Sequence, residues 1–262
     1  MSETVTYIII GVVLFTGSAL QALVGFGYGL FAIPVLLVAG LQPQAAIAMV
    51  AVAVIFHGVV SLWKMRHERV GREIWVMVAI GLVMQPVGTW GLGKLTEHLD
   101  KAAIGQVFGG LLLASLAVRA WLRPEPREFL APIWGRLVMV PSGLLSGFSG
   151  MSGPPIVLWV MAHKWTSDKM RVTTWTIFTS MAATNVLWLY LRFPNEVPHA
   201  AKTGLMFTPI VLLGILPGFW LGDRVSHTTL RRMAIGFLVL VGIYAVFQPI
   251  FWPDLGRPAL PR

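Results

Sequence analysis

No Lys, Arg, Asp or Glu occurs between Glu3 and Lys64, and beyond Lys64 long apolar runs alternate with short polar segments. The runs at 44–63, 74–93, 102–121, 172–191, 204–222 and 233–252 each reach the about 20 residues with which a helix crosses the hydrocarbon core of a bilayer. They predict six crossings. Two further apolar stretches, 5–41 and 137–162, are interrupted by glycine and proline, in GFGYGLFAIPVLL (25–37) and GFSGMSGPPIVLWV (147–160). A break in a membrane helix frees backbone N–H and C=O groups that must find partners away from water. Each break therefore predicts a place where the freed backbone has a use.

Composition agrees: of 262 residues, 56% are hydrophobic and 12% charged, too apolar for one soluble core. The chain reads as an all-α integral membrane protein. MSETVTY at the start contains an acid and no base, unlike the cationic n-region of a cleaved signal, so the apolar segment after it is expected to stay. Absence of cysteine excludes thiol catalysis, disulfides and thiolate metal sites. No cofactor or metal is implied. The formal charge of +9 is spread over the segments between apolar runs, which argues against nucleic-acid binding and for the positive-inside bias. Segments 64–72 and 119–136 carry four bases each and are expected in the cytoplasm, with 94–101 outside. In the second half 163–171 and 223–232 carry three each, against two each in 192–202 and the tail. The same rule places the former inside and the latter outside. Stretch 137–162, with arms of about 13 residues or about 20 Å, then enters and leaves from the cytoplasm, and 5–41 from outside.

The halves resemble each other. GSALQALVGFGYGLFAIPVLL (17–37) aligns with SGLLSGFSGMSGPPIVLWV (142–160), Gly25-Phe26 falling on Gly147-Phe148; QPVGTWGLGK (85–94) aligns with LPGFWLGDR (216–224), Pro86 on Pro217 and Gly93 on Gly222. Residues 1–124 and 125–262 are thus expected to be two inverted-topology repeats. Each would hold a broken or re-entrant glycine-rich helical hairpin plus three spanning helices, with substrate where the interrupted helices meet. The plainer alternative is that small residues such as Gly88 only let helices pack closely.

The segments GFGYGLFAIPVLL and GFSGMSGPPIVLWVMA, each followed by a polar loop and another membrane helix, resemble those of the TauE/SafE sulfite exporter family of membrane permeases, over about residues 8 to 250. The resemblance implies movement of small sulfur-containing anions such as sulfite and organosulfonates, mostly outward, across the inner membrane of bacteria. The expected partners are that anion and the lipid bilayer, with self-association left open.

Because the fixed charges fall in loops, an anion within the membrane is expected to be held by helix N-termini, whose free N–H groups carry about half a positive charge. Candidate substrate-binding residues are Gly25, Gly27, Tyr28, Gly29 and Pro34 in the first break and Gly147, Ser149, Gly150, Ser152, Gly153 and Pro154 in the second. Tyr28, Ser149 and Ser152 could add hydroxyl donors. Gln21, Gln85 and Asn185 are further polar candidates inside apolar stretches, Asn185 closing the run Thr173, Thr174, Thr176, Thr179, Ser180, Thr184. His57, the ionisable residue deepest in a span, is a candidate for proton coupling, weighed against a histidine satisfied by its neighbours. Export of a monovalent anion could also be passive, driven by about 2.3 kcal/mol per 100 mV. Rivals are an anion channel, a membrane scaffold, and a rhomboid-like serine protease suggested by GFSG at 147–150, which lacks a deep histidine on a later helix. Trp63, Trp75, Trp121, Trp165 and Trp252 near span ends fit interfacial belts.

Overall fold

Prolines and short polar caps set where helices begin in this chain. The computed structural model describes residues 3–122, 125–224, 235–236 and 238–247. In it Pro43 and Pro132 open helices, Asp100 caps the N–H of Ala103, and Thr166 caps that of Lys169. The helices are α1 (Glu3–Val24), α2 (Tyr28–Val38), α3 (Pro43–Lys64), α4 (Arg72–His98), α5 (Lys101–Trp121), α6 (Pro132–Ser149), α7 (Gly153–Met161), α8 (Ser167–Arg192), α9 (Val197–Met206), α10 (Thr208–Arg224) and α11 (Leu238–Phe247). No strand is present among the described residues; Arg127 and His163 form an isolated bridge. The protein is an all-helical membrane protein.

Four helices, α1, α3, α4 and α5, are long and apolar enough to span alone, and α9 with α10 makes a fifth as a bent pair. Two of the six expected crossings need correction. The run 204–222 is one arm of a pair that starts at Val197 and turns by 53° at Phe207. Pro209 has no N–H with which to continue the α9 ladder onto the Leu205 carbonyl, which accounts for the bend. The run 172–191 lies in α8, whose 26 residues suffice in length but whose threonines, Ser180 and Asn185 make it less apolar than a lipid-facing helix. Its polar positions are largely packed instead, against α3, α4, α6, α7 and α9, while Leu187, Tyr190 and Leu191 remain exposed. Of 233–252 only part is described, chiefly α11; the segment 225–234, the tail after 247 and Trp252 lie outside the described residues.

Both glycine-rich stretches form hairpins with a long first arm and a short second one: 22 and 11 residues in α1 and α2, 18 and 9 in α6 and α7. The expected equal arms of 137–162 are therefore not found. Each first arm ends where a glycine adopts left-handed φ, +87° at Gly25 and +68° at Gly150, a conformation glycine enters without a Cβ penalty. Their N–H groups close the last turns on Gln21 O at 2.8 Å and Ser146 O at 2.9 Å. By backbone geometry Gly25 thus pairs with Gly150, while Gly147 remains inside α6.

The tightest crossing explains Gly147. A Cβ there would overlap the Gln85 carbonyl, one on Gly88 would overlap the Leu144 carbonyl, and one on Gly143 the Gly81 carbonyl. Small residues let α4 and α6 run backbone to backbone. Gly214 and Gly218 do the same for α10 against Phe15 and Ala19 of α1, each Cβ falling 2.5 Å from a carbonyl oxygen.

Gln85 ties this arrangement to α8. Its Nε2 donates to Ser146 Oγ at 2.9 Å and Met181 O at 2.7 Å, and its Oε1 accepts from Thr184 Oγ1 at 2.6 Å. At about 0.6 kcal/mol per interhelical bond in a membrane, loss of these three makes Gln85→Leu less stable by about 2 kcal/mol. We expect a lower thermal midpoint for that variant in detergent, with substrate KM unchanged.

Charged ends sort into two groups. Arg136 pairs with Glu73 at 3.1 Å and Lys164 with Glu128 at 3.3 Å, while Met65 packs on Val172 and Trp175. Elsewhere Glu97 pairs with Lys94 and Arg192, and Tyr7 near the start of α1 stacks on Phe207.

Candidate functional site

The two breaks touch. A Cβ on Gly29 would stand 2.6 Å from the carbonyl oxygen of Gly150. Beside this contact lies a cavity of about 50 Å³, several times the roughly 10–15 Å³ that holds one water. Gly27, Tyr28 and Gly29 of the first break line it, with Gly150, Ser152 and Gly153 of the second. Gln21 from α1, Ser146 from α6 and Asn185 from α8 add polar groups, and α3 supplies an apolar wall at Ile47 and Val50. Among the described residues no Lys, Arg, Asp or Glu lines this cavity.

Backbone donors are unevenly divided. The first intrahelical bond of α2 runs from Phe31 N–H to Gly27 O at 3.0 Å, which leaves the N–H groups of Tyr28, Gly29 and Leu30, all lining residues, without a helical acceptor. In α7 the second and third residues are Pro154 and Pro155, so Gly153 alone among the first three has an N–H. The expected pair of equivalent N-termini is instead one donor end, at α2, facing one proline-stiffened end.

Two buried amides complete the set. Asn185 Nδ2 donates to Ser146 O at 2.9 Å, which turns Oδ1 away from that carbonyl. Asn185 Oδ1 and Gln21 Nε2 are buried without a protein partner among the described residues. A buried polar group left so costs about 1–3 kcal/mol, a cost that a bound ligand or water removes.

The remaining sequence candidates have other work. Tyr28 Oη donates to Leu14 O at 2.8 Å, and its ring lies where a Cβ on Gly17 would be. Ser149 Oγ donates to Leu145 O at 2.9 Å. Of the three hydroxyls considered, the Tyr28 and Ser149 groups are committed to carbonyls, and Ser152 lines the cavity. Pro34 is buried inside α2 and Pro154 opens α7, both off the cavity lining. Gly25 borders a neighbouring cavity, while Gly147 and Gln85 serve the α4–α6 crossing. Sequence reasoning missed Ser146. Its signal was its place four residues before the closing glycine, as Gln21 precedes Gly25.

His57 lies behind this wall, its ring edge-on to Tyr28 with centroids 6.3 Å apart. Its Nδ1 is 3.0 Å from Ser18 Oγ, whose own proton goes to Val211 O at 2.7 Å. Ser18 must therefore accept, so Nδ1 carries a proton. This bond links α3 to α1 and, through Ser18, to α10. Asparagine places an N–H near the Nδ1 position; His57→Asn is expected to keep flux within about threefold, a loss of under about 1 kcal/mol, and to keep its response to an imposed pH gradient. Loss of that response at preserved flux would make His57 the coupling group.

Comparison with known proteins identifies the family. The family profile described as "Sulfite exporter TauE/SafE" matches residues 9–245. A "Probable sulfite/organosulfonate exporter TauE" of Cupriavidus necator is 24% identical over 237 residues, covering 86% of this chain and 88% of that protein. No solved structure matches the chain. With a family match from α1 to α11 and an all-helical membrane architecture, the chain belongs to the TauE/SafE sulfite exporter family, and it is a membrane transporter and not an enzyme.

Proposed function

We propose that this protein exports a small sulfur oxyanion, sulfite or a short organosulfonate, across a bacterial inner membrane, holding it between the two glycine breaks. The observation that carries the reading is the meeting of Gly29 with Gly150 beside a small uncharged cavity. Three free N–H groups at the start of α2 and the unpartnered Gln21 amide can surround an anion there without lysine or arginine. Asn185 Oδ1 can only accept, so it favours an anion that retains a proton over the bare dianion. The size of the cavity favours sulfite over sulfonates with long tails.

Residues 1–124 and 125–262 act, in this reading, as inverted repeats that rock about the site. Support comes from the matching order of a long-short hairpin followed by further helices and from paired glycine crossings, α4 on α6 and α10 on α1. The bridge of Arg127 to His163 holds both ends of the second hairpin together, and Tyr7 and Leu41 at the two ends of the first share a cavity with His199, as hairpins that enter and leave on one side require. Export needs no coupling ion, since a monovalent anion leaving a negative interior gains about 2.3 kcal/mol per 100 mV.

Purified protein in liposomes tests this. Sulfite, sulfate, thiosulfate, methanesulfonate and sulfoacetate are offered singly, and saturable uptake is expected for sulfite, faster with the interior positive. Flux that never saturates would make the protein a channel; absence of flux for every sulfur anion would end the proposal.

A further inference from the structure

The first break has a second cavity on its other side, of about 300 Å³, and two arginines line it. Arg119 comes from the last turn of α5 and Arg171 from the start of α8, with Gly25 and Phe26 of the break between them. Charge alone assigns Arg119 to a loop, yet it is only 8% exposed. Its guanidinium lies 4.4 Å from the centre of the Phe26 ring, a cation–π arrangement. Arg171 Nη2 reaches the Leu23 carbonyl at 3.5 Å, where the C-terminal end of α1 favours a cation. Glycine at 25 is set by its φ of +87°, and the Arg171 side chain passes at ordinary contact distance, its Cγ 3.5 Å from where a Cβ would stand. Among the described residues no Asp or Glu lines the cavity, and Ser167 and Thr174 are its hydroxyl residues.

We propose that this cavity is a vestibule that captures an oxyanion, sulfite or the sulfonate group of an organosulfonate, before it passes the break to the central site. Planar guanidinium groups suit such oxygens, each offering paired N–H donors. Arg119 begins the base-rich segment 119–136 and Ser167 lies within the segment 163–171, so the vestibule opens toward the cytoplasm, the side from which an exporter loads. Phe26 borders the vestibule and Gly27 the central cavity, leaving the break as the partition. The volume is about six times that of the central cavity and admits a solvated anion. The role as a loading site rests on the export reading; anion capture itself does not.

Absence of native cysteine permits a direct test. Ser167→Cys, at an exposed lining position, is labelled in inside-out vesicles with methanethiosulfonate reagents bearing either a sulfonate or a trimethylammonium group. Rates are normalised to a free thiol. The sulfonate reagent is expected to be favoured by about tenfold at low ionic strength, with methanesulfonate slowing it. Adding Arg171→Gln or Arg119→Gln should each cut both the preference and the protection. Should Arg119→Gln fail to fold, Arg171→Gln decides. Preference and protection that survive Arg171→Gln would overturn the vestibule. The labelling needs no transport, so missing sulfite flux in wild-type liposomes would strike the export reading alone.

Discussion

Alanine at position 29 is expected to cut sulfite flux by about a hundredfold or more while leaving the protein folded. Gly29 lies in the first turn of α2 with ordinary helical backbone, so alanine suits the helix itself. Its methyl, however, would stand 2.6 Å from Gly150 O, and backbone must move to admit it. Overpacking of this kind costs about 1–3 kcal/mol, and a displacement near 1 Å at a site built on fixed geometry can cost about a hundredfold in rate. Gly110→Ala is the control, since a Cβ there meets nothing within 4 Å. Gly27→Ala separates strain from wedging: its Cβ also meets nothing, but its φ is +107°. Initial rates in liposomes, with thermal midpoints measured alongside, decide among the three variants. Flux in Gly29→Ala equal to that in Gly110→Ala would mean that the breaks do not shape the site.

Gln21→Glu should be as damaging for an electrostatic reason. The change preserves shape and replaces an unpartnered buried donor with a carboxylate facing the anion. Two like charges about 4 Å apart repel by about 4 kcal/mol at an effective dielectric near 20, about a thousandfold in affinity. A protonated glutamate is neutral and again a donor, so flux should return as the pH falls. Methanesulfonate is the suitable probe because its own charge stays constant over that range. Undiminished methanesulfonate flux at high pH would show that Gln21 does not face the substrate.

Helix existence was readable wherever apolar runs had clear ends: 44–63 against α3, 74–93 within α4 and 102–121 against α5. The bend at Phe207 was signalled by Pro209 but hidden inside a run of adequate apolarity. The polar run of α8 was visible as well, though its meaning was not. Thr174 and Thr176 bond carbonyls one turn back, while Thr184 reaches across to Gln85 and Asn185 to Ser146, and local sequence does not distinguish these fates. Aligning the GF dipeptides matched Gly25 with Gly147, whereas helix ends are fixed by φ, which no dipeptide encodes. The glycines, Gln21 and Asn185 were legible as candidates because few polar or flexible residues interrupt so apolar a chain. Arg119 was not, because its burial depends on Phe26, more than ninety residues away in sequence. Tyr28 misled for a similar reason: Gly17 makes the space that sends its hydroxyl to Leu14.

The central claim is a location: a sulfur oxyanion sits between Gly29 and Gly150. Selenite has the shape of sulfite and an anomalous scatterer at its centre. Diffraction at the selenium edge from crystals soaked in selenite is expected to give a peak in that cavity, within hydrogen-bond reach of Gln21 Nε2 and the N–H groups opening α2. An empty cavity, in crystals of protein whose sulfite flux selenite inhibits, would contradict it.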